Sequence, residues 1–487
     1  MREREAKLVV PDDFRMPAPE DLAPHVSAGA AETVEQGAIY YDTEDLRLTR
    51  SGVSLRFRSD DGWTVKLPEG RTDSTLVRAE HHFAGEPGSP PSAASELVRS
   101  WTRTEPLIEV ARITTHRRRV RLSDENGRLL AELDDDRVTG SASIATKTRF
   151  REIEVELAED APAKVLNALV KGLHAAGARP APAMSKVARV LGEAAHRPPG
   201  LADAPRPPDA TARDLVRTTM LRSVTEILER DPQLRLSDDV ETVHKARVAT
   251  RRLRSDLKTF RPILERGWSE PLRSELKWLG GLLGQVRDAD VLLESLTATR
   301  RELPDELQTA GDGLIDRLHT ARAHDRDALL EALRSLRYAR LLEWLVVGTN
   351  DPGLRPGAGA KRADAIVGRL TRPPRKRLAR RVERLGRTPT NGELHDVRKR
   401  AKQARYACEA VERITGQRRV AKRLAHFQDV LGRHQDAVVA IAWLLDASRD
   451  AETRGDEGFV AGQLAGILIA ERGRAREQWR KAWKRAR

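Results

Sequence analysis

The pattern of apolar and polar positions divides the chain into two parts. Up to about residue 157, apolar and polar residues alternate in short runs separated by turn residues, which predicts β-strands. These runs cover 40–42, 53–58, 63–67, 117–122, 129–134 and 151–157. The clearest hairpin joins Val120 to Ala131 around Asn126-Gly127. A helix is predicted over 163–176, because Gly177 and Pro180 follow it.

From about residue 211 onward, the apolar period is helical almost throughout. Residues 196–210 contain five prolines and predict a linker. A Gly/Pro-rich break over 348–359 separates two similar helical pieces. We therefore expect an α+β multidomain protein, with one domain over 1–195 and an all-α domain over 211–487. The internal repeat of the all-α domain covers about 211–345 and 362–487.

Charge differs between the two parts. Residues 1–200 carry 29 Lys and Arg against 32 Asp and Glu, whereas 201–487 carry 58 against 41. We therefore expect a polyanionic partner for the second part. The single cysteine, Cys408, excludes an intramolecular disulfide and a cysteine-based zinc site. No apolar run approaches about 18 residues, so we expect a soluble, cytoplasmic protein with no membrane partner.

Several strands of the first part carry charged residues along one face. The sets are Glu3, Glu5 and Lys7; Arg56 and Arg58; Thr64 and Lys66; Arg117, Arg119 and Arg121; Glu132, Asp134 and Asp136; and Glu152, Glu154 and Glu156. A solvated sheet face is one interpretation. However, carboxylates and cations collect on different strands, whereas a solvated face mixes signs because like charges repel. The other interpretation is a closed barrel with a polar lumen, where carboxylates hold divalent cations and Arg or Lys binds phosphate.

The segment Glu3-Arg4-Glu5-Ala6-Lys7 resembles the ExExK signature that opens CYTH domains, the triphosphate tunnel metalloenzyme superfamily. The similarity continues in order through later strands to Ser185-Lys186 and covers roughly 1–195. It implies an antiparallel eight-stranded tunnel that binds a triphosphate and one or two Mg²⁺ or Mn²⁺ ions. Members of this family hydrolyse inorganic triphosphate, thiamine triphosphate or RNA 5′-triphosphate, and a few are adenylate cyclases.

The resemblance also implies roles for individual residues. The metal ligands would be Glu3, Glu5, Glu152 and Glu154, with Asp136 and Glu156 as weaker candidates. Phosphate oxygens would be bound by Lys7, Arg56, Arg58, Lys66, Arg117, Arg119 and Lys186, although the inward-facing residues among 117–121 depend on register. Glu3, Glu5 and Lys7 are the predicted catalytic residues. The implied reaction is metal-assisted attack of water on a terminal phosphoryl group.

The helical part repeats one arrangement of basic residues. His244, Arg247, Arg251 and Arg254 have the same spacing as His395, Arg398, Lys402 and Arg405. Each set falls within about 80° of one helix face. A Leu-Gly pair followed by Asp-Ala comes after each set, at 283–289 and 431–437. Arg377, Arg380 and Arg384 form a further basic face before the second copy. A single stripe could be a solvated face, but the repetition favours a shared polyanionic ligand.

This arrangement resembles the CHAD domain, a histidine-containing α-helical domain, over about 211–487. The resemblance implies two similar helical bundles whose basic faces line a pore or groove that binds inorganic polyphosphate. Nucleic acid is not the expected partner, because single-stranded nucleic acids stack on aromatic residues and only 4% of this chain is aromatic. We expect a metal-dependent triphosphatase coupled to a polyphosphate-binding domain, with polyphosphate granules as a candidate location. The alternative is a non-catalytic polyphosphate-binding scaffold whose tunnel only senses phosphates.

Overall fold

The computed structural model describes the chain except for residues 1, 24, 72–75, 143–144, 182–183, 198–199, 202–209, 413–417 and 450–454. At 2–3, 69–71, 76–78 and 145–146 it describes the backbone alone. Most of the predicted linker over 196–210 therefore lies outside the described residues. The chain divides into two compact units, Met1–Gly200 and Leu201–Arg487.

Within the described residues, the strands of the first unit form one antiparallel sheet. They are β1 (Arg2–Val10), β2 (Ser27–Ala28), β3 (Glu32–Asp42), β4 (Ser54–Arg58), β5 (Gly62–Arg71), β6 (Leu76–Phe83), β7 (Ile108–Ser123), β8 (Leu129–Ala142), β9 (Ala145–Leu157) and β10 (Arg179–Pro180). The eight long strands close into a barrel, because β1 pairs with both β6 and β9. The predicted count of eight strands is wrong, since ten are present. The two extra strands, β2 and β10, have two residues each and are too short to show an alternating pattern.

The barrel carries its apolar residues on the outside, where short helices cover them. These helices are α1 (Pro19–Leu22), α2 (Arg47–Arg50), α3 (Ser92–Leu97), α4 (Arg99–Thr102), α5 (Ala163–Ala175) and α6 (Lys186–Leu191), followed by a 3₁₀ turn over Gly192–His196. Trp63 and Val65 are buried beside α3, and Leu133 and Val155 are buried beside α5. Because side chains alternate across a strand, the charged positions between them point into the barrel. The polar-lumen interpretation is therefore confirmed.

Helix α6 packs inside one end of the barrel. Its Val190 belongs to the same buried cluster as Ile113 of β7 and Val138 of β8. These strand residues have the same inward direction as Arg117 and Asp136, because all of them differ in position by even numbers along their strands. The helix therefore reaches the lumen, and its first residue can contact the inward-facing charges.

The second unit is helical. Its helices are α7 (Ala212–Leu236), α8 (Val240–Phe260), α9 (Arg266–Arg300), α10 (Asp305–Gln308), α11 (Asp312–Arg334), α12 (Leu336–Asn350), α13 (Ala363–Glu383), α14 (Asn391–Ala410), α15 (Arg418–Ala447) and α16 (Asp456–Ala486), with a 3₁₀ turn over Thr309–Gly311. One core lies mainly among α7, α8, α9 and α12, and another lies among α13 to α16. A third core joins the end of α9 to α15 and α16. No described helix is both long and apolar enough to cross a bilayer.

The contact between α6 and the barrel predicts unequal effects of two glycine substitutions. A Cβ at Gly140 of β8 would lie 2.8 Å from Val190 Cγ1 and closer still to Cγ2, whereas a Cβ at Gly37 of β3 meets nothing within 4 Å. Gly140→Ala should lower the local free energy of opening by about 1–3 kcal/mol, because overpacking forces α6 away. Gly37→Ala should change it by less than about 0.5 kcal/mol. Amide hydrogen exchange in β8 and α6 measures both effects, and equal protection in the two variants would contradict this packing.

Candidate functional site

A cavity of about 190 Å³ lies inside the barrel of the first unit. Inward-facing residues of β1, β3 to β7 and β9 form its walls, together with the start of α6. Nine predicted site residues line it: Glu5, Lys7, Arg56, Arg58, Lys66, Arg117, Arg119, Glu154 and Lys186. Glu152 is buried on the same strand face as Glu154. The side chain of Glu3 lies outside the described residues.

A group of carboxylates on β8 and β9 lies beside the cavity, and Glu154 of this group lines it. Glu154 of β9 lies opposite Asp134 of β8, and Glu152 lies opposite Asp136 in the same way. We call these four residues the acidic wall, and all four are buried. The Cβ atoms of directly opposite residues are about 4.5–5.5 Å apart, so like charges there destabilise the sheet. The acidic wall therefore requires cations.

Lys186 supplies a cation at the centre of the acidic wall. Its Nζ lies 2.6 Å from Asp136 Oδ2, 3.1 Å from Glu154 Oε1 and 3.4 Å from Glu152 Oε1. Ser185 precedes α6 and its Oγ accepts a hydrogen bond from the N–H of Ala188, at 3.3 Å. This N-cap fixes the start of the helix, which places the lysine side chain at the acidic wall.

Further cations contact the same carboxylates, and among them Arg189 donates from Nη1 to Glu152 Oε2 at 2.5 Å. Arg117 donates to both oxygens of Asp136, at 2.8 and 2.7 Å, and to Glu154 Oε2 at 2.8 Å. Lys7 contacts Glu154 and lies 3.3 Å from Glu5 Oε2. Charge-assisted hydrogen bonds of this kind are stronger than neutral ones. The acidic wall is therefore neutralised by side chains of the protein itself.

These contacts set the ionisation state of the wall. Burial alone would raise the pKa of the Glu154 carboxyl, but Lys186, Lys7 and Arg117 outweigh burial and hold this pKa well below its usual range. Burial alone would lower the pKa of Lys7, but Glu154 and Glu5 outweigh it and raise that pKa above the usual range. Both groups are therefore charged at neutral pH.

Two arginines of β4 also line the cavity. Arg58 of β4 donates to both oxygens of Asp60, at 2.9 and 2.7 Å. Arg56 Nη2 lies 3.4 Å from Asp61 Oδ2. Both aspartates belong to the turn between β4 and β5, next to the arginines they contact. A planar guanidinium that binds a carboxylate with two hydrogen bonds can bind a phosphate group in the same way.

The cavity also contains residues that the sequence did not single out. Glu80 and His82 of β6 line it together with Asp61. His82 lies 3.4 Å from Asp61 Oδ1 and 3.7 Å from Glu80 Oε2, and Glu80 contacts Lys66. The available signal was the alternation along 76–83, where Glu80 and His82 occupy one face and Ala79 and Phe83 the other.

In the second unit, the two basic stripes lie on α8 and α14 and approach each other. Arg251 of α8 donates from Nε to the hydroxyl of Tyr406 of α14, at 3.0 Å. A cavity of about 850 Å³, the groove cavity, is lined by α8, α9 and α14. Two carboxylates line it, against eight cations: Arg251, Arg254, Lys258, Arg273, Lys277, Lys399, Arg400 and Lys402.

The other predicted polyphosphate ligands have several locations. Arg377 lines a second cavity of about 560 Å³, the side cavity. Arg380 and Arg384 are exposed and line neither cavity. Arg405 lies 3.5 Å from Glu409 and its guanidinium stacks on Tyr406, 4.8 Å from the ring centroid. His244, Arg247, His395 and Arg398 belong to the earlier part of each stripe and do not line the groove cavity.

The repeated Leu-Gly and Asp-Ala segments support one arginine in each stripe. An added Cβ at Gly284 of α9 would lie 3.7 Å from Arg247 Nη2, and one at Gly432 of α15 would lie 3.8 Å from Arg398 Nη2. Arg247 Nη1 also lies 3.0 Å from Asp288, and Arg398 Nη2 lies 3.9 Å from Asp436. Each guanidinium therefore lies against the neighbouring helix at the glycine, near the aspartate four residues later, and an added Cβ would make only an ordinary contact with it.

Comparison with known proteins assigns both units to families. A family model for the CYTH domain matches residues 1–190, and one for the CHAD domain matches residues 218–445. The chain belongs to the CYTH–CHAD proteins. Two relatives, Uncharacterized protein MT2285 and Uncharacterized protein Rv2226 of Mycobacterium tuberculosis strains CDC 1551 / Oshkosh and ATCC 25618 / H37Rv, are each 32% identical over 491 residues. Each alignment covers 95% of this chain and 92% of the relative.

Two solved structures are also similar to parts of this CYTH–CHAD protein. PptA from Streptomyces chartreusis is 26% identical, with a TM-score of 0.49, over 56% of this chain and 100% of that chain. The CHAD domain from the plant Ricinus communis is 26% identical, with a TM-score of 0.47, over 58% of this chain and 94% of that chain. Membership of the two families supports a triphosphate tunnel fold and a polyphosphate-related function.

The CHAD domain holds Lys402 among other cations. Burial, followed by the neighbouring Arg251, Arg398 and Arg247, lowers the pKa of Lys402 to about 7. Burial also lowers the pKa of Arg398, with Arg251 contributing. Because α8 residues act on α14 residues, the two stripes share one strongly positive region.

The two named histidines of the CHAD domain have different surroundings. His395 Nδ1 lies 2.7 Å from Gln435 Oε1. At the corresponding place in the first copy, burial and Arg287 lower the pKa of His244. The shared sequence spacing therefore does not give the two histidines the same neighbours, which are Gln435 for His395 and Arg287 for His244.

The CYTH domain contains a cluster that fits a divalent metal. Oxygen atoms of Asp136, Glu152 and Glu154 lie within 4.8 Å of one another. Among the described residues, Glu152 Oε1 accepts no hydrogen bond although it is buried. Oxygen ligands suit Mg²⁺ and Mn²⁺. Two predicted metal ligands, Glu152 and Glu154, belong to this cluster, and so does the weaker candidate Asp136. The predicted ligand Glu5 lines the cavity beside Lys7 instead.

The contacts of Lys186 predict that metal and ammonium compete for the acidic wall. Lys186→Gln should lower the stability of the CYTH domain by about 3 kcal/mol in EDTA, because it leaves buried carboxylates under-neutralised. Mn²⁺ should stabilise this variant more than it stabilises the wild type, because the added charge replaces the lost ammonium. Calorimetric unfolding with EDTA and with Mn²⁺ measures both effects. The exposed Lys164→Gln is the control, and an equal Mn²⁺ effect in all three proteins would contradict the prediction.

Proposed function

We propose that the CYTH domain is a metal-dependent triphosphatase and that the CHAD domain binds inorganic polyphosphate. One observation carries the first half: Glu154, a member of a buried carboxylate cluster, lines a cavity that Arg56 and Arg58 also line. Phosphoryl transfer needs charge neutralisation and positioning more than covalent chemistry. A metal bound to the carboxylates and cations bound to the phosphate oxygens supply these two requirements together.

The proposed roles follow from the contacts. Asp136, Glu152 and Glu154 would hold Mg²⁺ or Mn²⁺, which supplies charge stabilisation at the phosphoryl group and activates water. Arg56 and Arg58 would exchange their carboxylate partners for phosphate oxygens. The sequence-derived roles of Glu3 and Glu5 as metal ligands remain part of the proposal.

Binding of metal and substrate would also change the partners of Lys186 and Lys7. Both ammonium groups contact Glu154. When the carboxylates hold metal, these ammonium groups lose part of their attraction to the acidic wall and become available to phosphate oxygens. Lys7, which lies beside Glu5 in the cavity lining, would then bind phosphate oxygens of the substrate.

A phosphate-release assay tests the enzymatic half of the proposal. The substrates are inorganic triphosphate, thiamine triphosphate, ATP and long-chain polyphosphate, each with Mg²⁺, Mn²⁺ or EDTA. The proposal expects metal-dependent release from at least one triphosphate. Tight triphosphate binding without release under any metal would instead favour a tunnel that only senses phosphates.

The proposal predicts that Glu5→Gln loses catalysis with little change in fold. Glu5 lines the cavity and neutralises part of Lys7, and Gln keeps its size while removing its charge. Turnover of the best triphosphate should fall by about two orders of magnitude, because charge stabilisation at the transferring group is lost. The exposed Glu44→Gln is the matched control. Unchanged turnover in Glu5→Gln, with an intact fold by circular dichroism, would refute the assigned role.

The polyphosphate half of the proposal is supported by the excess of cations over carboxylates in the groove cavity. Polyphosphate carries about one charge per phosphate and offers no bases for stacking. Tyr406 is the aromatic residue in this lining, and it already contacts Arg251 and Arg405. Nucleic-acid binding remains the competing class, and competition by DNA or RNA at matched charge would favour it.

The lowered pKa of Lys402 predicts pH-dependent polyphosphate binding. The polyanion favours the charged ammonium, so binding takes up a proton once the pH exceeds about 7. Affinity should therefore fall as the pH rises from about 7 to about 9. Lys402→Arg, which stays charged, should flatten this fall, and Lys245→Gln, an exposed change on α8, should not. Isothermal titration in buffers of different ionisation enthalpy measures proton uptake, and no uptake by the wild type at pH 8 would contradict the prediction.

A further inference from the structure

The side cavity lies beside the groove cavity in the CHAD domain. It is lined by residues from the end of α8, the middle of α13 and the segment before α13, with further residues from α14. Lys258, Arg400 and Gln403 line both cavities. The two cavities are therefore adjacent parts of one surface depression.

The side cavity has a more uniformly basic lining than the groove cavity. Its lining residues include no carboxylate, and its cations are Lys258, Arg261, Arg355, Arg369, Arg377 and Arg400. In the groove cavity, by contrast, Glu270 pairs with Arg273 at 2.6 Å and Asp396 pairs with Arg400 at 3.2 Å. The side cavity adds Arg261, Arg355 and Arg369 to the basic residues that the sequence predicted.

Two arginines of α13 that line the side cavity bear most directly on anion binding. Arg369 and Arg377 are exposed, and within the described part of the chain no ion pair joins either of them to a carboxylate. Arg377 and Arg400 both lower the pKa of Lys258, after its burial. Like charges this close repel one another, so their arrangement gains stability when an anion lies between them.

An anion in the side cavity would be continuous with one in the groove cavity. Lys258 and Arg400 would contact it from both cavities, so a chain leaving the groove past these residues meets Arg377 and then Arg369. A small isolated phosphate would fill only part of this row of cations. The observations therefore favour a polymer over a separate small anion.

We propose that the side cavity extends the polyphosphate-binding site, so that the CHAD domain binds long chains in preference to short ones. This inference rests on the proposed polyphosphate binding. A long chain would contact the stripes on α8 and α14 and the arginines of α13 together. A chain of three phosphates would occupy only one of the two cavities.

The test compares two double variants of the full chain with the wild type. Arg369→Gln with Arg377→Gln removes side-cavity charge, and Lys245→Gln with Arg301→Gln removes two exposed charges away from both cavities. Each protein is titrated with long-chain polyphosphate and with tripolyphosphate at several salt concentrations. EDTA is present throughout, so no metal-dependent turnover occurs. Tripolyphosphate binding in the CYTH domain is the same in all three proteins.

The side-cavity variant should bind long-chain polyphosphate about tenfold more weakly than the wild type. The slope of log affinity against log salt should fall by about 1.5, because counterion release contributes roughly 0.7–0.9 per lost phosphate contact. Tripolyphosphate affinity should stay unchanged, and the control variant should resemble the wild type for both ligands.

Three outcomes would overturn the inference, and they are distinguishable. Equal loss for both chain lengths would make the side cavity a separate small-anion site. Long-chain affinity unchanged in the side-cavity variant, with Arg251→Gln still weakening binding, would restrict polyphosphate to the groove cavity. No binding of long-chain polyphosphate by the wild type would overturn the proposed function itself.

Discussion

The carboxylates that lie opposite one another across β8 and β9 set the main constraint on the CYTH domain. Asp136 opposite Glu152, and Asp134 opposite Glu154, would repel each other in a buried wall. Lys186 and Arg117, together with Arg189, offset this repulsion. The position of α6 inside the barrel follows from it, because α6 carries Lys186 to the wall. The same carboxylates, once they exchange these cations for a metal, become the proposed catalytic centre.

The CHAD domain has an excess of cations rather than of carboxylates at its candidate site. Its stripes bring cations from two helices together, and the two carboxylates in the groove cavity neutralise only part of their charge. Burial and neighbouring arginines therefore hold the pKa of Lys402 near 7. The CYTH cavity contains its own counter-ions, whereas cations outnumber carboxylates in the CHAD groove. This difference supports the proposal of a triphosphate with metal for the first site and a polyanion for the second.

The alternation of charged and apolar residues along the strands, and the repeated spacing of basic residues along two helices, made much of the fold and of the candidate sites predictable from sequence. The charged strand faces predicted the polar lumen, and Asn126-Gly127 predicted the turn between β7 and β8, where Gly127 has a φ of 78°. The repeated spacing predicted the facing stripes on α8 and α14. Contacts that depend on register or on distant elements could not be predicted. Lys186 was expected to hold phosphate but contacts carboxylates, and β2 and β10 are too short for a pattern.

The location of bound Mn²⁺ tests the central claim most directly. Crystals of the full chain grown with Mn²⁺ and a non-hydrolysable triphosphate analogue would show the metal by its anomalous scattering. The account predicts a Mn²⁺ peak coordinated by oxygens of Asp136, Glu152 and Glu154, with Lys186 Nζ moved from these carboxylates toward the phosphates. A metal bound elsewhere in the tunnel, with Lys186 still contacting all three carboxylates, would contradict it.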